Sequence, residues 1–185
     1  MVHTGPAMTT QPHDTSQLAA LARSGDANAL GALYARFSPG LMRLAWHLLG
    51  SAADAEDVLH DVFLGLPEAL RLYDERGTLE AWLKRVTARV ALTRLRTDRR
   101  RHEVALEHEV PAPSVTLPAD DAAVQQAIAQ LPDTLRAVFV LKSVEGYAHA
   151  EIGALLGISA AASEVRLHRA IKQLRARLTA HQVRP

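Results

Sequence analysis

Residues 148–178 read AHAEIGALLGISAAASEVRLHRAIKQLRARL. The stretch divides into a short helix from Ala148 to Leu156 and a longer one from Ala160 to about Leu178, separated only by Gly157-Ile158-Ser159. Leu167, Ala170, Ile171, Leu174 and Leu178 form the buried side of the second helix, and its other side presents Ala162, Val165, Arg166, Arg169, Lys172 and Gln173. A short helix, a turn containing glycine and a longer basic helix make the helix-turn-helix arrangement. In that arrangement the second helix enters the major groove, where Arg reaches guanine edges or phosphates and Val touches a thymine methyl group. An ordinary helical hairpin is the plainer alternative, but turn, length and basic face agree on a DNA reader.

The rest of the chain fits an all-α protein. Among its 185 residues, 33 Ala and 27 Leu stand against 14 Val and 4 Ile, so unbranched helix formers far outnumber β-branched apolar residues. Cysteine is absent, which excludes disulfides, thiol catalysis and thiolate metal sites. No run approaches the roughly 18 consecutive apolar residues of a membrane span, and the start has neither a basic nor an apolar leader region, so no membrane insertion and a cytoplasmic location are expected.

A formal net charge of +1 argues at first against a polyanion partner. Resolved along the chain, however, it alternates: −6 over 54–80, +7 over 81–101, −6 over 102–133, balance over 134–163 and +5 over 164–185. Such blocks suggest separate faces for cationic and anionic partners. Residues 102–118, with three prolines and acidic charge, read as a flexible linker. The expected organisation is a disordered tail over 1–15, a helical unit over 16–101, the linker, and a second helical unit with the helix-turn-helix over 119–180.

In the first unit, Ser16 is expected to cap a short helix ended by Gly25, Asp26 a second helix, and Ser38-Pro39 to start a third. Ser51-Ala-Ala-Asp54 resembles a capping box and opens a helix with Ala55, Val58, Leu59, Val62, Phe63 and Leu66 in its apolar stripe, which Pro67 ends or kinks. Another long helix starts near Thr78, with Leu79, Trp82, Leu83, Val86 and Val90 on one side. In the second unit, helices are expected from Pro118 to Gln130 and from Asp133 to Val144, ahead of the quoted pair.

Two further surfaces stand out. Asp57, His60, Asp61 and Leu64 fall together opposite the apolar stripe of their helix, with Asp54 and Glu56 at the edges. An acidic face with one exposed Leu suits a basic protein partner, although acidic residues are also favoured near a helix N-terminus on purely local grounds. On the Thr78 helix, Arg85, Arg89, Arg96 and Arg99 share the face opposite the apolar side, with Leu92 among them and Arg94, Arg100 and Arg101 behind. A nucleic acid is the natural neutralising partner for that density; a solvated amphipathic helix beside the acidic linker is the alternative. Trp82, in the apolar stripe, reads as core rather than a stacking platform.

Together these residues resemble the extracytoplasmic-function sigma factors of bacterial RNA polymerase, in the sigma-70 family, over about residues 16–178. ALYARFSPGLMRLAWHLLGSAADAEDVLHDVFL resembles the family's first helices and EAWLKRVTARVALTRLRTDRRR the segment that engages the minus-ten promoter element. LPDTLRAVFVLKSVEGYAHAEIGALLGISAAASEVRLHRAIKQLRARL resembles the domain that reads the minus-thirty-five element. The resemblance implies core RNA polymerase and promoter DNA as partners, with an anti-sigma factor as a further candidate. By position it implies Asp54, Asp57, His60, Asp61 and Leu64 for polymerase docking. It implies Trp82, Lys84, Arg85, Arg89, Arg96 and Arg99 for the minus-ten element, and Ser159, Val165, Arg166, Arg169 and Lys172 for the minus-thirty-five element.

This chain departs from the family pattern in three places. Arg89 and Thr93 stand where relatives commonly carry Asn and Asp, which exchanges a base-reading amide for a phosphate-seeking charge. Ala161-Ala-Ser-Glu164-Val165 replaces the usual G-T-V-K-S, and Glu164 removes a basic contact. His60 and Asp61 replace the commoner Gln and Glu. No catalytic residue, cofactor or metal is expected. Two alternatives stand beside this reading: a polymerase-independent helix-turn-helix regulator, which leaves the acidic Leu64 face unused, and a metal-dependent phosphohydrolase suggested by His60-Asp61 with His47 upstream, for which no octahedral ligand set is evident.

Overall fold

The computed structural model describes residues 14–74, 77–104 and 119–182. Among them the secondary structure is helical: α1 (Thr15–Arg23), α2 (Ala27–Leu49), α3 (Ala52–Leu64), a short α4 (Leu66–Ala69) and α5 (Leu79–Val104) in the first unit. The second unit contains α6 (Ala119–Ala129), α7 (Asp133–Phe139), α8 (His149–Leu156) and α9 (Ala160–Gln182). Residues 1–13 of the expected tail and nearly all of the linker lie outside the described residues, Thr15 at the tail's end already belongs to α1, and α5 runs through Val104, three residues into the stretch read as linker.

Local chemistry sets most boundaries. The Asp26 carboxylate accepts the Ala29 N–H at 2.8 Å, the Ser51 hydroxyl accepts that of Asp54 at 3.3 Å, and the Thr78 hydroxyl accepts that of Ala81 at 3.2 Å. Each satisfies an N-terminal donor that the helix itself leaves orphaned. Pro67 occupies the first turn of α4, just after α3 closes at Gly65, as expected of a residue that cannot continue a helix.

Three expectations are corrected. Ser16 is not the first cap: α1 already begins at Thr15, after Asp14, and Ser16 sits inside its first turn. Ser38-Pro39 starts no new helix, because α2 runs unbroken through Pro39. Its ring lies on the exposed side, where water can take up the carbonyl bond it forfeits, while Leu33, Phe37, Leu41, Leu44 and Leu48 form one buried stripe on both sides of it. At about 1.5–3 kcal/mol per buried Leu or Phe, that stripe outweighs a proline costing about 3 kcal/mol. On α5 the buried side is Leu79, Leu83, Thr87, Ala88, Ala91 and Leu92, whereas Trp82, Val86 and Val90 are half-buried. Leu92, expected among the arginines, is 4% exposed. The stripe rotates because α5 packs against both α2 and α3, and Ala88 and Ala91 allow the close approach.

Two apolar cores result. One lies wholly in the first unit, around Leu18, Leu33, Phe37, Leu41, Leu66, Leu70 and Leu83. The other begins there with Leu44, Leu48, Val58, Val62, Ala91 and Leu92 and continues into the second unit through Ile128, Leu135, Val138, Leu141, Ile152 and Leu174. The two units therefore pack together rather than hang apart. After Phe139, α7 widens into a π turn over Val140–Val144, and the chain then delivers Glu145 and Tyr147 towards α5.

The helix-turn-helix forms as read. Gly157 takes φ +68, closing α8 with its N–H on the Gly153 carbonyl. A Cβ on Gly153 would lie 2.6 Å from the Ile158 carbonyl oxygen, so only glycine lets the turn fold back this closely.

Candidate functional site

The acidic surface is built on α3. Its Ala55, Val58, Leu59 and Val62 are buried, which turns Asp57, His60, Asp61 and Leu64 to solvent, and Leu64 is 73% exposed. Beside it α2 contributes Tyr34, Ser38, Pro39 and Met42 to an open recess of about 790 Å³, shared with His60, Phe63 and Leu64. Tyr34 is exposed and meets Phe63 edge-on at 4.8 Å between ring centroids. Sequence reading missed Tyr34, although its place out of phase with Leu33 and Phe37 marks it as an aromatic pointing away from the core. Asp54 and Asp57 are held by Arg94, whose Nη2 donates to Asp54 Oδ1 at 2.9 Å and Asp57 Oδ2 at 2.8 Å. The acidic face and the basic helix are thus tied together along one edge.

On α5, Arg85, Arg89 and Arg96 are exposed, as expected, while the side chain of Arg99 lies outside the described residues. The others differ from the expected open stripe. Lys84 is bracketed by Glu80 at 3.5 Å and by Glu145 of the second unit at 3.1 Å. Arg96 donates to the Leu155 carbonyl, also in the second unit, at 2.7 Å. Trp82 is half-buried against the first core and stacks at a tilt on Tyr73, 5.2 Å away. Between the units lies a recess of about 360 Å³ lined by Lys84, Arg85, Glu145, Tyr147 and Glu151. Burial and the neighbouring Glu145 push the Tyr147 hydroxyl up to about 12, so it stays protonated there.

On α9, Val165 is 50% exposed, and Arg169 and Lys172 stand out into solvent. Ser159 serves the helix itself: its hydroxyl accepts the Ala162 N–H at 3.0 Å as the cap of α9. Ser163 is buried, with its hydroxyl 2.9 Å from His149 Nδ1, which pins α9 to α8. Arg166 is half-buried and lines a second recess between the units, with Leu92, Leu95, Arg96 and Ile158. Glu164 is exposed next to Val165.

The histidines of the hydrolase alternative are far apart in kind. His60 lies on the outer face of α3, and His47 is buried among Trp46, Gln125, Ile128 and Ala129. Among the described residues no group of three or more His, Asp or Glu is placed to hold a metal ion, and no helix is long and apolar enough to cross a membrane.

Comparison with known proteins bears on the same two units. Residues 33–101 match Sigma-70 region 2 and residues 121–174 match Sigma-70 region 4. The chain is 34% identical over 152 residues to the ECF RNA polymerase sigma factor SigE of Mycolicibacterium smegmatis, covering 75% of this chain and 57% of that one. It is 32% identical over 158 residues to the RNA polymerase sigma factor CarQ of Myxococcus xanthus, with 83% and 91% covered. Among solved structures, CnrH in complex with the cytosolic domain of CnrY superimposes with a TM-score of 0.57 at 31% identity, covering 90% of this chain and 99% of CnrH. With both family regions matched, 91% of CarQ spanned, and the ECF RNA polymerase sigma factor SigM of Mycobacterium tuberculosis 31% identical over 165 residues with 88% of this chain and 84% of SigM covered, the chain belongs to the extracytoplasmic-function sigma factors of the sigma-70 family.

Proposed function

We propose that the acidic face of α3, with Asp54, Asp57, His60, Asp61 and Leu64, docks core RNA polymerase, and that the two basic helices then engage two separated promoter elements. As a sigma factor the chain is a polymerase-associated factor for promoter-specific transcription initiation. In the proposed division of labour Trp82, Lys84, Arg85, Arg89, Arg96 and Arg99 take the minus-ten element, and Val165, Arg166, Arg169 and Lys172 take the minus-thirty-five element. Ser159 contributes by capping the reader helix. The proposed regions run from 16 to 101 and from 119 to 180, joined by the acidic segment between them. The protein works in the cytoplasm as an initiation factor without a catalytic reaction of its own, and a CnrY-like anti-sigma protein is a candidate partner for the recess between Tyr34 and Leu64.

The observation that carries this reading is the pairing of a solvent-exposed Leu64, on the same helix face as Asp57 and Asp61, with a helix-turn-helix whose Val165, Arg169 and Lys172 remain exposed. A free-standing DNA regulator has no use for the first. Core polymerase mixed with the purified chain should give promoter-dependent transcripts, and Leu64→Asp should abolish them by placing a charge at the apolar centre of the contact. Transcripts that persist unchanged with Leu64→Asp, or tight sequence-specific duplex binding without polymerase, contradict it.

A further inference from the structure

We propose that Glu164 reads a base: its carboxylate accepts a hydrogen bond from the exocyclic amine of a cytosine, so that this chain requires a C·G pair within its minus-thirty-five element. The inference rests on the DNA-binding reading above and deepens it by naming what the reader helix selects.

Glu164 lies in the second turn of α9, with Val165 beside it and Ala161 one turn before, all three exposed. Ser163, Ala170 and Leu174 are buried behind them and fix which way the helix faces, Ser163 through its contact with His149. In a helix-turn-helix the N-terminal part of the second helix meets the base edges. Here that part reads Ala160-Ala-Ala-Ser163-Glu164-Val165, so Glu164 is its only charged side chain. The short apolar neighbours let the backbone approach the floor of the major groove and bring the carboxylate to base edges rather than to phosphates.

The carboxylate has no engagement within the protein. In the second unit Asp133 is held by Arg136 at 2.8 Å, Glu145 by Lys84 at 3.1 Å, and Glu151 accepts the Ala148 N–H at 2.9 Å. Glu164 has no donor among the described residues. The positions three and four away on α9, where an ion pair would form, hold Ala160, Ala161, Leu167 and His168, so neither Arg nor Lys stands beside it along the helix. The helix dipole does not account for it either, because that attraction fades beyond the first turn.

A carboxylate carried into the groove gives up water and must find a donor there. Ionised, it can only accept. Guanine presents N7 and O6 and thymine presents O4, all acceptors that repel it. Adenine sets its amine beside the acceptor N7, whereas cytosine shows an N4 amine with no acceptor of its own next to it. Phosphates repel the carboxylate as well, so a charge that weakens binding to DNA in general becomes favourable at one base pair. Arg169 and Lys172, exposed further along the same helix, keep the surface attractive to the duplex as a whole.

The test is selection, by core polymerase carrying the full chain, of duplexes randomised over the minus-thirty-five element, with wild type, Glu164→Ala and Glu164→Gln in parallel. Glu164 is exposed and both replacements are good helix formers, so the variants keep the fold. The wild type should select an element containing one invariant C·G pair. Glu164→Ala should leave that position degenerate and the others unchanged. Glu164→Gln, which donates as well as accepts, should move the preference there to A·T. On the selected element, replacing the C·G pair should weaken wild-type binding by about 5- to 150-fold and Glu164→Ala binding hardly at all. Identical elements from all three proteins overturn the proposal. So does a Glu164→Ala protein that binds every sequence more tightly with its preferences intact, because Glu164 is then a repelling charge alone. A wild-type complex that selects no shared element at this position overturns the DNA-binding reading itself.

Discussion

The two basic helices are alike in sequence and unlike in the folded chain. On α5, Lys84 is tied to Glu80 and Glu145, Arg94 to Asp54 and Asp57, and Arg96 to the Leu155 carbonyl. On α9, Val165, Arg169 and Lys172 project into solvent on a helix fixed from behind by Ser163 and Ala170. Charge density is similar on the two helices, while packing decides which cations already have protein partners. Under the proposed reading Val165, Arg169 and Lys172 on α9 stand open to DNA, as do Arg85 and Arg89 on α5, whereas Lys84 and Arg96 are engaged by the second unit.

The largest blow to this difference is the loss of Arg136. Arg136→Ala removes the bonds that hold α2 to the second unit and leaves the Leu48 and Leu49 carbonyls without donors, at a cost of about 1–3 kcal/mol for each carbonyl that stays buried. Equilibrium urea unfolding should show it, and a loss within the range of an ordinary surface substitution would place the junction elsewhere. Next in size, Arg169→Ala should weaken promoter binding by the polymerase complex by ~1–3 kcal/mol if the side chain reads a base edge, and by a similar factor across all sequences if it holds phosphate. Competition with altered minus-thirty-five elements separates the two.

Asp57→Asn acts on the opposite helix. It frees one side of Arg94, a partly exposed pair, so stability should change by about 0.2–1 kcal/mol, while the salt dependence of duplex binding should steepen. The smallest expected effect is on pH. Burial holds the His47 imidazole below its usual 6.5, with Gln125 and Glu145 working the other way and Arg43 with it. A base whose folded pKa is depressed is neutral in the folded state while the unfolded chain takes up the proton, so its contribution is intact above about pH 6.5 and declines as pH falls below it. His47→Leu should flatten that part of a stability-against-pH curve; an unchanged slope would assign it to other groups.

Much of the fold was legible because it rests on local chemistry: the caps at Asp26, Ser51 and Thr78, the Pro67 break and the Gly157 turn each depend on a few neighbouring residues. The misreadings share a cause. Pro39 is tolerated because its ring faces water while leucines before and after it are buried, and the α5 stripe rotates to meet two partner helices at once; neither fact is carried by the segment alone. The acidic and basic faces were visible as charge blocks, and Leu64 and Val165 stand exposed where periodicity put them. Engagement of Lys84 and Arg96 was not visible, since their partners lie 61 and 59 residues away along the chain. The balanced stretch 134–163, with two charges of each sign, had no partner to suggest, and it supplies both Arg136 and Glu145 to the junction.

The most direct measurement is transcription by purified core polymerase reconstituted with the wild-type chain, Leu64→Asp and Arg169→Ala, with start sites mapped on genomic templates. The account predicts defined starts preceded by two shared elements with the wild type, none with Leu64→Asp, and weakened use of those starts with Arg169→Ala. Equal use of the same starts by all three proteins would contradict it.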